Sequence, residues 1–192
     1  MNTLVFDPEK YGEMPIDVHQ ILADKRMVFI CDTLNDKLAT DVVATLMLKD
    51  MEDSSQPIKL YINSEGGDIR NAFMIYDAMK LTASPIHTIC IGSAMDEAAI
   101  ILAAGTPGCR FATKHSVIAI SQLETNSALF SDLTNAKANL DLVISDNKKM
   151  MNILSQTTKK PLKKIMADLE RRIFMNASDA AKYNLIDKVI SK

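Results

Sequence analysis

Two hydrophobic periods alternate along this chain. "RMVFIC" (26–31) and "IKLYINS" (58–64) are short apolar runs rich in β-branched and aromatic residues, and both read as buried strands. Between them, "TLNDKLATDVVATLMLKDME" places its apolar positions at helical spacing. "NAFMIYDAMKL" follows as an amphipathic helix with Phe73, Ile75, Tyr76 and Met79 on or near one face. The rhythm repeats with a strand at "IHTICIG" (86–92), a helix at "EAAIILAA" (97–104) and a strand at "SVIAISQ" (116–122). A βαβαβα order predicts an α/β fold with mostly parallel strands.

The ends of the chain differ from this middle. The first 16 residues have no clean period and read as a mobile arm, and Ile16–Ala23 suggests a short helix. From 127 to 156 a single helix is predicted. Leu129, Leu133, Ala136, Leu140 and Val143 step by 4, 3, 4 and 3, which is heptad spacing. At 1.5 Å per residue it would run about 45 Å. That is more than the core of a compact domain needs, so projection onto another chain competes with a long helix packed within the domain. "KPLKKIMADLER" reads as a further helix with Pro161 in its first turn. Asn176, with Asp179 three residues on, is placed to cap the short helix "ASDAAKYN", and "IDKVI" ends the chain as a strand.

Composition narrows the class. The 192 residues suffice for one domain, divided here into an arm (1–16) and a single domain (17–192). A net charge of −2 argues against a general nucleic-acid binder. No apolar run approaches the roughly 20 residues of a membrane span, and the mixed, acidic N-terminus is no secretory signal. Cys31, Cys90 and Cys109 are odd in number and widely spaced, which fits buried thiols in a reducing compartment, the cytoplasm or one like it. The twelve methionines fall mostly at core-like helical positions, with Met150 and Met151 placed for a pliable contact.

The chemistry concentrates in "CIGSAMDEAAIILAAG" (90–105). A glycine, small residues and then an apolar helix are the build of a strand-to-helix elbow, where many hydrolases mount a nucleophile. Here the bend carries Asp96 and Glu97. Ser93 as a displaced nucleophile, with Lys114 or His115 as base, is the weaker alternative, because the elbow aims residue 96. A metal site from Asp96, Glu97 and His115 matches no established spacing. His19 and His87 lack acidic or thiol neighbours at ligand spacing and read as structural. No cofactor is expected.

"LYINSEGGDIRNAFMIYDAMK", "TICIGSAMDEAAIILAAG", "GCRFATKHSVIAISQ" and "KPLKKIMADLERRIFMNASDAAKYNLIDKVI" together resemble ClpP, the proteolytic subunit family of the ATP-dependent Clp protease. The resemblance runs from about Asp17 to Lys192. It implies a crotonase-like α/β core with mostly parallel sheets and a long protruding handle helix, the handle region covering about 122–157. In the family, handles interlock two heptameric rings around a closed chamber.

Against the family's G-x-A-A-S-M-G elbow, this chain reads Gly92-Ser93-Ala94-Met95-Asp96-Glu97-Ala98, so the serine position is Asp96. Where the family has histidine before glutamine, "VIAISQ" gives Ser121. Where it has the acid after Glu-Arg, "ERRIF" gives Arg172. A serine protease needs a hydroxyl, a general base and an orienting acid. A carboxylate is a poor nucleophile toward an amide, a serine hydroxyl is no general base near neutral pH, and an arginine has no acceptor. The resemblance makes the backbone N–H groups of Gly67 and Glu97 the oxyanion hole. The carboxylates of Asp96 and Glu97 would bring negative charge to that place, with Asp96 suited to cap the helix. Asp96 and Arg172, at opposite ends of the lost triad, are expected to form an ion pair; Arg172 turned to solvent or to a ring neighbour is the alternative.

The same resemblance assigns Gln122, Glu170 and Arg171 to ring assembly. "LETNS" replaces the family's proline and paired glycines, Glu65 replaces the proline before Gly66, and the arm does not resemble the family's pore loop. These features imply a non-catalytic subunit in homomeric rings or in mixed rings with an active ClpP paralogue, with docking of a Clp-type ATPase left open. A weak hydrolase with a reassigned nucleophile and a crotonase-like acyl-CoA enzyme are the competing functions. The handle helix and the Clp-type C-terminal motif disfavour the second.

Overall fold

The structure, a computed structural model, describes residues 4–6, 15–123 and 133–190. Leu4–Val5 (β1) pairs antiparallel with Ile16–Asp17 (β2), so the arm's two ends meet in a small ladder. Helix α1 (Val18–Asp24) follows, its first turn capped by the Asp17 carboxylate, which accepts from the His19 N–H at 2.8 Å.

Then come β3 (Met27–Ile30), α2 (Asp36–Glu52), β4 (Ile58–Ser64), α3 (Ile69–Leu81), β5 (Ile86–Met95) and α4 (Glu97–Ala103). β6 (Arg110–Thr113), β7 (Val117–Ile120), α5 (Leu133–Thr158), α6 (Leu162–Leu169), β8 (Ile173–Asn176), α7 (Ala177–Tyr183) and β9 (Lys188–Ile190) complete the described chain. The predicted α/β alternation is therefore present. β6 and β8 were not foreseen. They are four-residue strands defined by partners far away in sequence, and so short a run carries little periodic signal.

Strands β3, β4, β5, β6 and β9 lie side by side, all parallel. β5 is long enough to fork the sheet. Its first half, Thr88–Cys90, pairs with β6, and its second half, Ser93–Met95, pairs with β7. Among the described strands of this sheet, β8 alone is antiparallel, and it continues beyond β7. The register with β4 slips at the fork, from Ile62 opposite Cys90 to Ser64 opposite Ala94. Gly92 sits in that slip with φ 97°, and a Cβ there would run into the Asn63 side chain.

β3 and β4 are not buried on both faces as their composition suggested. In β4, Ile58, Leu60, Ile62 and Ser64 point into the core, whereas Lys59 and Asn63 are exposed and Tyr61 is half-buried. On that second face His19 of α1 packs edge-on against Phe29, which stacks on Tyr61, and the rest is open. Helix α4 is the centre of the core, with Ala98 through Ala103 all buried. That explains its lack of a polar face.

Helix α5 has two characters. Met150 and Leu154 are buried, and this C-terminal part packs against α4 and α6. Toward its start, Leu140, Leu142 and Ile144 are exposed. The heptad positions divide accordingly: Ala136 and Val143 are half-buried and Leu140 is exposed, while Leu129 and the Leu133 side chain lie outside the described residues. Pro161 precedes α6 as its cap residue rather than entering its first turn. Asn176 caps α7 as predicted, accepting from the Asp179 N–H at 2.9 Å and donating to its carboxylate at 2.8 Å. Two compositional expectations are corrected. Cys31 is exposed at the end of β3, and Met47, Met51, Met74 and Met166 lie on the surface.

Candidate active site

The site lies at the carboxyl ends of the parallel strands, where an open α/β sheet leaves a crevice. Asp96 links β5 to α4 with φ 50° and ψ −108°, a conformation that non-glycine residues rarely adopt. The surrounding ladder enforces it. Met95 is paired with Ala119 in β7, and the Asp96 N–H donates to the Ala119 carbonyl at 2.9 Å. The strained elbow that presents a nucleophile is thus fully formed, with a carboxylate at its tip.

Ser121 and Arg172 are brought together by the β7–β8 pairing. Ile120 faces Ile173, which puts Ser121 and Arg172 just beyond the last rung of an antiparallel ladder. The Gln122 N–H donates to the Leu169 carbonyl at 3.2 Å and ties the same corner to the end of α6. One cleft of ≈ 550 Å³ is lined by Asp96, Ser121 and Arg172 together with Gly67, Glu97 and Gln122. Glu170 and Arg171 are exposed beside it at the end of α6.

The expected ion pair is present. Arg172 Nη2 donates to Asp96 Oδ2 at 2.9 Å, across 76 residues of sequence. The guanidinium carbon also stands 5.2 Å from the centre of the Phe174 ring. The pair is incomplete: Asp96 Oδ1 is buried and has no hydrogen-bond partner. Asp96 occupies the cap position of α4, but its side chain makes no capping hydrogen bond. Arg172 holds that carboxylate instead.

The glycine loop opposite is held by its backbone. The Leu34 N–H donates to the Gly66 carbonyl at 2.9 Å, and the Asp68 N–H donates to the Leu34 carbonyl at 3.0 Å. Gly67, at φ 151°, leaves no space for a side chain, since a Cβ would lie 2.6 Å from the Leu34 N and O atoms. The Gly67 N–H points into the cleft and donates to Glu97 Oε2 at 3.0 Å. Burial raises the Glu97 pKa above the ordinary glutamate value and the neighbouring charges of Asp96 and Asp68 add to the rise, against the opposing effect of the Gly67 and Glu97 amides.

The alternatives find little support. The Ser93 hydroxyl donates to Glu65 Oε1 at 2.9 Å and contacts Asn63 Oδ1 at 3.3 Å, while Lys114 and His115 are exposed on the β6–β7 turn. Among the described residues, no group of three or more His, Cys, Asp or Glu side chains is arranged to hold a metal ion. His19 and His87 pack edge-on against Phe29 and Phe111. Among the described residues, no helix is long and apolar enough to cross a membrane.

The mixed α/β fold with its mostly parallel sheet agrees with the fold that the sequence resemblance implied. The sequence model of the family described as Clp protease matches residues 10–192. The chain is 37% identical over 180 residues to the ATP-dependent Clp protease proteolytic subunit 1 of Chlamydia felis, covering 94% of this chain and 88% of that protein. It is likewise 37% identical over 180 residues to the proteolytic subunit 2 of Chlamydia abortus, covering 94% of this chain and 87% of the relative. The chain belongs to the Clp protease family.

Proposed function

We propose that this chain is a non-catalytic member of its family, a pseudoprotease that occupies ring positions in a Clp-type protease and shapes the chamber. The observation that carries the reading is the Asp96–Arg172 pair. At the positions that align with nucleophile and acid, a permanent cation donates to a carboxylate at 2.9 Å. Proton transfer through this unit has no starting point. Asp96 offers no hydroxyl, Ser121 replaces the imidazole, and the guanidinium accepts no proton.

The assembly reading rests on the exposed start of α5. Leu140, Leu142 and Ile144 present apolar surface that a lone chain leaves to water, as a handle docking on an opposite ring would require. Gln122, Glu170 and Arg171 lie at the cleft's edge or beside it, where contacts across rings would form. Heptameric rings of this chain alone or mixed with an active paralogue both fit, in the cytoplasm or another reducing compartment. A Clp-type ATPase would then meet the ring through whichever subunits carry a competent pore loop.

Native mass spectrometry of the chain, alone and after mixing with an active paralogue from the same cell, tests the assembly. Mixed rings are expected. Peptidase assays on the unmodified chain test the inactivity, and turnover that survives removal of contaminating ClpP would overturn it in favour of a reassigned nucleophile.

A further inference from the structure

We infer that Glu97 is an internal plug: its carboxylate sits in the oxyanion site itself and closes the cleft to a peptide carbonyl, independently of the missing triad. The inference rests on reading the Gly67 and Glu97 amides as the oxyanion donors of an abandoned protease site. It adds a second and separable reason for inactivity, and it identifies what fills the site.

The geometry is specific. Gly67 N–H donates to Glu97 Oε2 at 3.0 Å. A Cβ placed on Gly66 would come within 2.5 Å of Glu97 Oε2, so the carboxylate lies directly on the glycine loop. The Gly67 amide, which would greet a developing oxyanion, is therefore turned to a resident one. The nearby cation does not draw Glu97 away, because the Arg172 hydrogen bond goes to Asp96. Asp96 and Asp68 flank Glu97 with like charge, which disfavours this position for a carboxylate. The Gly67 amide holds it there nonetheless.

An oxyanion hole works because its donors are preorganised toward charge that appears only in the transition state. A carboxylate already bound to the Gly67 amide removes that donor and repels the incoming negative charge. The contact thus excludes acyl substrates and their tetrahedral adducts, while leaving the rest of the cleft open to bind a peptide.

The test uses the full-length assembled chain. The triad is rebuilt as Asp96→Ser, Ser121→His and Arg172→Asp, with Glu97 kept in one protein and replaced by Met in the other. With a fluorogenic peptide, Glu97→Met is expected to raise kcat/KM by about 10²-fold or more, carried by kcat with KM little changed. Equal kcat/KM in two active rebuilt proteins would overturn the plug. A second measurement needs no activity. Amide hydrogen exchange at Gly67 is followed in the unmodified chain, in Glu97→Ala and in the conservative Glu97→Gln, with the Asp68 amide as internal reference. Gly67 exchange should accelerate in Glu97→Ala and less in Glu97→Gln, while Asp68 stays protected; unchanged Gly67 exchange would sink the inference. The two ideas can fail separately. Peptidase activity in the unmodified chain would refute the pseudoprotease reading, whereas the Gly67 amide reports on the plug alone.

Discussion

Among the described residues, two long-range arginine–aspartate pairs could hardly be built more differently. Arg110 and Asp187 join the start of β6 to the residue before β9. Arg110 Nε and Nη2 grip the two carboxylate oxygens at 2.9 and 2.6 Å, and Nη1 donates to the Asn184 carbonyl at 2.9 Å. The N–H groups of Gly108 and Arg110 complete the carboxylate's shell at 2.8 and 2.9 Å. In the cleft, Arg172 meets Asp96 through one hydrogen bond, with 46% of its side chain exposed and with one buried Asp96 oxygen unpartnered. Both residues of that pair also have positive φ, at 50° and 43°. A pair that the fold depends on is bidentate and saturated. The cleft pair rests on one hydrogen bond and leaves one buried acceptor unfilled.

The largest effect should come from breaking the saturated pair. The Arg110 side chain is only 9% exposed, so Asp187→Ala would strand a cation among carbonyls with its principal counter-charge gone. Removing one partner of a buried pair costs about 3–5 kcal/mol, and the 23% exposure of Asp187 places this case near the lower end. Urea denaturation at fixed protomer concentration should show a loss of about 3 kcal/mol. A loss below about 1 kcal/mol would put this pair in the same class as the one in the cleft.

These two pairs were also unequally legible. Asp96 and Arg172 could be paired from sequence because motif spacing put each at a defined station of one known site. Nothing in the spacing of Arg110 and Asp187, 77 residues apart, marks them as partners. The contact depends on β6 and β9 being neighbours, and β6 was itself invisible as a four-residue strand. The elbow was readable from its glycine and its small residues. The refusal of Asp96 to cap α4 was not, because it depends on a competing cation delivered by β8. The charge that Glu97 brings to the elbow could be foreseen; its hydrogen bond to Gly67 required the loop to be seen pinned on Leu34.

The pH dependence sharpens the contrast, since the two regions should bend the stability curve in opposite directions. Burial works against the Asp187 carboxylate, but the Arg110 hydrogen bonds and charge and the two amides outweigh it and depress its pKa. A depressed pKa means stability that is present above the unfolded carboxylate value and is lost as pH falls through the folded value. Asp187→Asn should therefore flatten the acid limb. Glu97 is raised, first by burial, so the folded chain binds its proton more tightly than the unfolded chain does. Its contribution declines as pH rises from the ordinary glutamate value through the raised one. Glu97→Gln should recover stability above that window and leave the acid limb alone. Denaturation curves from pH 3 to 8 distinguish the two, and slopes of the same sign would refute the assignment of either carboxylate.

The smallest effect belongs to the cleft pair, and it is the most diagnostic. A double-mutant cycle with Asp96→Asn and Arg172→Gln removes both charges and keeps both side chains polar, and it isolates the coupling from the backbone strain that both residues carry. With Arg172 nearly half exposed and one hydrogen bond between them, solvent screens the interaction, and a coupling of about 1 kcal/mol or less is expected. The unpartnered Asp96 oxygen pushes the same way, because burying it already offsets part of what the pair contributes. A coupling above about 2 kcal/mol would mean that the pair has become a structural element, as Arg110–Asp187 is. Rebuilding the triad would then remove a stabilising contact as well as add a nucleophile. A coupling near zero would leave Asp96 and Arg172 as neighbours that fill a space the fold keeps regardless, held open by the β5–β7 ladder and the glycine loop.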